Sequence, residues 1–70
     1  MNPSKDEANL RRLALKHREL EERLAVLANR RFLTEPEQLE ETTLKKMKLK
    51  IKDEMESILL QRPELADRHG

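Results

Sequence analysis

The chain has 70 residues, enough for at most one small domain, and 41% of them are charged while 36% are apolar. It contains no cysteine, one aromatic residue and one glycine, Gly70, which excludes disulfide scaffolds, thiolate metal sites and glycine-rich phosphate loops. Its 15 basic and 14 acidic residues leave a net charge of +1, so the overall charge argues neither for nor against a nucleic-acid partner. Because so small a chain buries little apolar surface, long helices and association with another chain are its routes to stability.

The first predicted element is a helix that begins near Ser4. Ser4 and Glu7 have the spacing of a capping box, and Pro3 suits a first helical turn, although Asn2 offers an alternative cap. Leucines, with one histidine among them, then recur at intervals of three and four, which is the heptad pattern of a helix that packs along one seam. The pattern predicts a helix over about residues 4–31 with its seam at Leu10, Leu13, His17, Leu20, Leu24 and Leu27.

A second helix is predicted over residues 35–61. Thr34 and Glu37 repeat the capping-box spacing, and Pro63 ends the helix. Residues 47–52 alternate between apolar and charged side chains like a strand, but no partner strand is present and the flanks are strong helix formers. Residues 1–62 therefore form the helical domain, and residues 63–70 are expected to be a flexible tail. The apolar face of the second helix consists of Leu44, Met47, Ile51, Met55 and Ile58.

The two helices are expected to fold back on each other, because only Phe32 and Leu33 separate them and so short a connection favours antiparallel neighbours. Folding the chain at residues 33–34 brings apolar positions of the two helices opposite each other along their whole length. The predicted fold is therefore an all-α antiparallel two-helix hairpin. The predicted layers pair Leu24 with Leu44, Leu20 with Met47, His17 with Ile51, Leu13 with Met55 and Leu10 with Ile58.

A thinner apolar line runs along the other side of each helix, roughly opposite the seam. One interpretation is scattered surface leucines, which are normal on soluble proteins. The other is a second contact face that joins hairpins into a homo-oligomeric helical bundle, and the small core of one hairpin favours it. The residues of this predicted self-association face are Leu15, Val26, Leu33, Leu39, Leu49 and Leu60.

Side chains capable of chemistry are present, but they do not form a catalytic or metal-binding pattern. His17 has only Glu21 at helical ligand spacing, which makes a poor metal site, so we expect a packed imidazole hydrogen-bonded to Asp53, Glu54 or water. The serines and threonines lack the glycines of an oxyanion hole. The sequence therefore predicts no enzyme, no cofactor, no metal and no small-molecule substrate.

A cluster of lysines on the second helix is the densest group of like charge in the chain. It could form an anion-binding stripe for RNA or DNA, consisting of Lys45, Lys48, Lys50 and Lys52. No aromatic residues are interleaved for base stacking, and acidic residues of the first helix face these lysines in the predicted register. Charge complementarity between the two helices is therefore the favoured interpretation of the cluster.

Two segments of the chain resemble the YdcH-like family of small bacterial proteins. Residues 44–55, LKKMKLKIKDEM, resemble its signature, which reads approximately LKKxKLxLKDEM, with Ile51 where leucine is usual. Residues 16–21, KHRELE, resemble its K-H-x-x-L-[DE] element. The likeness covers about residues 10 to 60, and it includes His17 and the three consecutive residues Lys52, Asp53 and Glu54. It implies a helical hairpin in a bacterial cytoplasm and, since the family has no assigned function, no reaction.

These observations lead to two hypotheses about function. The first is a non-enzymatic module that associates with itself and binds an unidentified protein. The alternative is an accessory protein that binds nucleic acid through its lysine stripe. No apolar run approaches the roughly 20 residues of a membrane span, so a cytoplasmic location without membrane contact is expected.

Overall fold

The protein folds into two long helices and a short C-terminal turn, as seen in a computed structural model that describes residues 4–68. Helix α1 spans Lys5–Ala28, helix α2 spans Glu35–Gln61, and a 3-10 helix spans Pro63–Arg68. The molecule is a narrow rod of 47 × 19 × 18 Å. No strand occurs within residues 4–68, and the predicted all-α hairpin is confirmed. Neither helix has an apolar stretch of the length needed to cross a membrane.

Both helices begin where the capping residues predict. The Ser4 Oγ accepts a hydrogen bond of 3.1 Å from the Glu7 backbone N–H, and Ser4 is the cap of α1. Thr34 and Glu37 form a reciprocal capping box, in which each side chain accepts a hydrogen bond from the other residue's backbone N–H, at 3.3 and 3.0 Å. These bonds satisfy N–H groups that a helix start leaves without partners.

Helix α1 ends at Ala28, three residues earlier than the predicted end at residue 31. The Asn29 N–H donates to the Ala25 carbonyl at 3.1 Å and closes the last turn. Residues 29–34 then form the connection, which is longer than the two residues left for it in the sequence interpretation. Arg30 and Arg31 consequently lie in the connection instead of in the last turn of α1.

Ion pairs join the two halves of the hairpin along its length and agree with an antiparallel register. Arg30 pairs with Glu37 beside the connection, and Arg23 pairs with Glu40 farther along. At mid-length the Glu21 Oε2 lies 3.6 Å from the Lys48 Nζ. At the open end the Asp6 Oδ2 lies 3.4 Å from the Arg62 Nη1. Residue numbers fall along α1 as they rise along α2, which is the order that a hairpin requires.

The core is thin and follows the predicted seam with one correction. Five apolar side chains are buried, namely Leu10, Leu20, Leu27, Ile51 and Leu65. The other predicted seam residues are half-buried, except Met47, which is 38% exposed. Lys48 is half-buried instead. The reason is helical geometry: intervals of four and three pass through Leu44, Lys48 and Ile51, whereas Met47 lies to the side of that line. This regular series in α2 is Glu37, Glu41, Leu44, Lys48, Ile51, Met55 and Ile58.

The segment after Pro63 differs from the flexible tail that the sequence predicts. Residues 63–68 form the 3-10 helix, which packs against α2, and Leu65 is only 4% exposed. The Leu65 N–H donates to the Arg62 carbonyl at 3.0 Å, and the Arg62 Nε donates to Glu64 at 2.7 Å. A leucine four residues past the helix end is therefore buried, because the chain packs back against α2. His69 and Gly70 lie outside the described residues.

Candidate interaction surfaces

The middle of the seam contains a polar cluster of three residues from the two helices. The His17 Nδ1 lies 2.8 Å from the Glu21 Oε1, one turn along α1. The other carboxylate oxygen of Glu21 is the one that faces Lys48 of α2. The sequence interpretation expected Asp53, Glu54 or water as the partner of His17, and the structure places Glu21 there instead. The 21% exposed side chain of His17 thus lies in a seam slot with its ring nitrogen paired.

This cluster connects the two segments on which the family resemblance depends. His17 and Glu21 belong to the KHRELE segment, and Lys48 belongs to LKKMKLKIKDEM. A polar layer in an apolar seam costs stability but defines which residues face each other. The contacts of His17, Glu21 and Lys48 are therefore of the kind that aligns two helices with each other. No group of three or more potential metal ligands is gathered anywhere in residues 4–66, the range in which side chains are described.

The lysines of the predicted anion-binding stripe do not converge on one face. The Lys45 Nζ lies 3.7 Å from the Glu41 Oε1 within α2, and Lys48 lies beside Glu21. Lys50 and Lys52 are exposed, but helical geometry puts Lys50 on the flank of α2 opposite that of Lys45 and Lys52. Two of the four lysines therefore already face carboxylates, and the remaining two point to different sides.

One ion pair between the helices is formed by two hydrogen bonds, and the sequence interpretation missed it. Arg23 binds both carboxylate oxygens of Glu40, at 2.8 and 2.9 Å. These hydrogen bonds lower the pKa of Glu40 and raise the pKa of Arg23. A similar bond from Arg62 lowers the pKa of Glu64. Glu19 lies four residues before Arg23, at the spacing of a helical ion pair, whereas Glu40 comes within reach of Arg23 only through the register of the hairpin.

The predicted self-association face is exposed, but it is divided between two edges of the rod. Leu15 and Val26 lie on the outer side of α1, and Leu39, Leu49 and Leu60 lie on the outer side of α2. Their exposed fractions are 62% and 46% on α1, and 69%, 61% and 83% on α2. Leu33 differs from the other five, because it is half-buried in the connection.

Two further apolar features accompany these leucines. Phe32, in the connection, is 82% exposed. Near the other end of the rod, Glu56, Leu59 and Leu60 line a shallow depression of about 240 Å³ on α2. The sequence interpretation did not single out Leu59, although its place one residue after the seam position Ile58 marks it as a residue at the seam edge. Apolar surface is therefore more extensive on the outer side of α2 than on that of α1.

Comparison with known proteins identifies the family of the chain. The family model described as "Protein of unknown function (DUF465)" matches residues 10–59, more than two thirds of the chain. This range includes the His17, Glu21 and Lys48 cluster and is consistent with the YdcH-like resemblance over about residues 10 to 60. No curated protein and no solved structure matches the chain.

Proposed function

Because the chain belongs to the DUF465 family, whose function is unknown, we propose its role from its surfaces: it is a non-enzymatic helical hairpin that associates with a second copy of itself. The observation that carries the proposal is the distribution of large apolar side chains. Only five are buried within residues 4–66, whereas five leucines and valines on the outer sides of the helices are 46–83% exposed. Covering these side chains adds the apolar burial that a 70-residue hairpin lacks on its own.

The spacing of the exposed apolar residues supports self-association, because they form a row and are not scattered singly. Single apolar residues on a surface are normal and need no explanation. Here three leucines follow the same outer side of α2 over more than 20 residues, and an open depression lies next to the last of them. Rows of apolar residues along one helix side are the usual way in which helices recognise other helices.

The proposal extends to the setting of the protein. A non-catalytic role agrees with the pairing of His17, Glu21 and Lys48, which uses these groups to align the helices. A bacterial cytoplasm agrees with the absence of cysteine, since reducing compartments do not favour disulfides. Binding of a further, unidentified protein would use whatever surface remains after self-association.

Nucleic-acid binding through the lysine stripe is the less favoured alternative, because Lys45 and Lys48 face carboxylates. It is tested by replacing the two lysines of the stripe that form no ion pair among the described residues, Lys50→Glu with Lys52→Glu, and measuring retention of RNA and DNA against salt concentration. Binding by phosphate contacts loses affinity steeply with salt, with a logarithmic slope of roughly −0.9 per contact on B-DNA. Unchanged retention in the double variant would exclude the stripe.

The direct test of self-association is sedimentation equilibrium of the full chain from low to high micromolar concentration. We expect the average mass to rise with concentration towards at least twice that of one chain. Far-UV circular dichroism of the same samples checks that the helices are formed throughout. A strictly monomeric, folded chain at high micromolar concentration contradicts the proposal.

A further inference from the structure

The outer side of α2 has a regular order of residues that the seam alone does not require. Four residues recur at intervals of seven, and each stands two positions away from the nearest seam residue of α2. At about 100° per residue, this places them opposite the seam. They are Leu39, Lys46, Asp53 and Leu60, and together they are called the outer ridge of α2. All four are exposed, and the ridge is about 32 Å long.

The outer ridge is complementary to a second copy of itself that runs in the opposite direction. If a second copy lies alongside with its α2 reversed, Leu39 of one chain meets Leu60 of the other at both ends. Between them, Lys46 meets Asp53 of the second copy, twice. Apolar side chains thus meet apolar side chains and positive charge meets negative charge at every position. Self-complementarity of this kind is the requirement of a two-fold symmetric interface.

The residues flanking the ridge agree with the same arrangement. The two-fold axis passes close to Leu49 and Lys50, midway between Leu39 and Leu60, so Leu49, 61% exposed, meets its own copy. The open depression lined by Glu56, Leu59 and Leu60 adds apolar surface beside the Leu60 end of the ridge. Lys50 lies near its symmetry mate on the opposite flank, and this is the one unfavourable contact, at a place where the long side chains can extend into water.

Two charged residues of the ridge are available for this contact. Neither Lys46 nor Asp53 takes part in an ion pair among the described residues, although other lysines of α2 do. Seven-residue intervals also suit a long contact, because two helices that cross at about 20° keep such a line facing the partner along their length. The outer side of α1 lacks this order, since Ala8, Leu15 and Glu22 at the corresponding positions do not pair with themselves in reverse.

We propose that two copies of the chain associate through the outer ridges of α2, antiparallel and around a two-fold axis near Leu49, with Leu39 on Leu60 and Lys46 on Asp53. The proposal rests on the self-association proposed above and names the surface that performs it. The dimer has the two α2 helices at its centre and the two α1 helices outside.

Charge reversal followed by mixing tests this pairing. In Lys46→Glu two acidic residues face each other at each of the two pairs, and in Asp53→Lys two lysines do. We expect each variant alone to dimerise about tenfold more weakly than the wild type at low salt. In an equimolar mixture, residue 46 of one variant and residue 53 of the other restore opposite charges at both pairs, so the mixed dimer forms with an affinity close to that of the wild type. Glu19→Lys on the outer side of α1 changes the net charge as Asp53→Lys does and serves as the matched control.

The possible outcomes separate this inference from the broader proposal. Sedimentation of the separate and mixed variants, with one variant fluorescently labelled, measures the mixed dimer directly, and circular dichroism confirms equal helix content. Weakened dimers that recover on mixing, with Glu19→Lys unchanged, support the ridge pairing. A wild type that dimerises while all three variants dimerise equally well overturns the ridge pairing and leaves self-association standing. A wild type that stays monomeric overturns both.

Discussion

The two sides of α2 both combine apolar and charged residues, but they differ in what they require of a partner. The inner side packs on α1 through apolar layers around Ile51, with one polar layer where Lys48 meets Glu21. The outer side has leucines at its ends and near its middle, separated by Lys46 and Asp53. The inner partner is tethered by a six-residue connection, so that side tolerates a charged residue such as Lys48 within its series. A second copy of the chain is not tethered, so only the residues on the outer side of α2 can determine how it binds. The self-complementary order of the ridge favours one antiparallel arrangement.

The first prediction separates the two sides by their effect on folding. Ile51→Ala removes a side chain that is 9% exposed and should lower the free energy of unfolding by about 2–5 kcal/mol. Leu49→Ala, two residues away and 61% exposed, should change the stability of the monomer by less than about 0.5 kcal/mol. Urea denaturation at the lowest usable protein concentration measures both. An equal decrease in the free energy of unfolding of the two variants would contradict the difference in burial between the inner and outer sides.

The second prediction concerns dimerisation, for which we expect the outer side of α2 to matter most. Leu49→Glu places a carboxylate at the two-fold axis, where it meets its own copy, and should weaken the dimer by at least about a hundredfold. Leu15→Glu is the matched control, because Leu15 is 62% exposed on the outer side of α1. Sedimentation equilibrium measures both dissociation constants. A larger effect of Leu15→Glu would move the interface to α1.

The third prediction concerns the polar layer of the inner side. Lys48→Leu puts an apolar side chain in a seam slot and removes a partly exposed ion pair of small value, so the hairpin should gain about 1 kcal/mol of stability. Met47→Leu is the control, since Met47 lies beside the seam and its replacement should have almost no effect. Thermal unfolding monitored by circular dichroism checks both variants. A gain from Met47→Leu and none from Lys48→Leu would restore the seam that the sequence first suggested.

The smallest expected effect involves the ion pair that closes the edge of the seam. The hydrogen bonds from Arg23 lower the pKa of Glu40 in the folded state. The pair therefore contributes stability above the ordinary carboxylate pKa, and this contribution is lost as the pH falls through the folded-state pKa. Glu40→Gln should lower the midpoint of thermal unfolding slightly at pH 7, and the difference should disappear well below pH 4. A difference that stays constant from pH 7 to pH 3 would show that the carboxylate charge is not its cause.

The sequence predicts most of the fold because each local signal agrees with the others. The caps at Ser4 and Thr34, the heptad leucines and the short connection all favour a hairpin, and α2 continues through the strand-like alternation of residues 47–52. Met47 was assigned to the seam because it is apolar, whereas helical geometry gives the slot to Lys48. Hydrophobicity alone could not find this, since a lysine lies in a seam by extending its charged end to Glu21.

The remaining differences arise from contacts between parts of the chain that are distant in sequence. The tail prediction rested on Pro63 and the polar residues after it, but Leu65 is buried once the chain turns back on α2. Arg23 has an attractive partner within its own helix and takes one from the other. Five residues of the predicted association face lie on the outer sides of the two helices, and only the structure shows that Leu33 is half-buried in the connection. The proposed contact with a second copy of the chain is inferred from the order of apolar and charged residues along the outer ridge.

One measurement tests the comparison between the two outer sides most directly. The natural chain has no cysteine, so Leu49→Cys and Leu15→Cys each introduce a single thiol at positions of nearly equal exposure. After treatment with a short bifunctional maleimide, Leu49→Cys should form a covalent dimer at low micromolar concentration, while Leu15→Cys remains monomeric on a denaturing gel. Faster linking of Leu15→Cys, or equally slow linking of both, would contradict pairing through the outer ridge of α2.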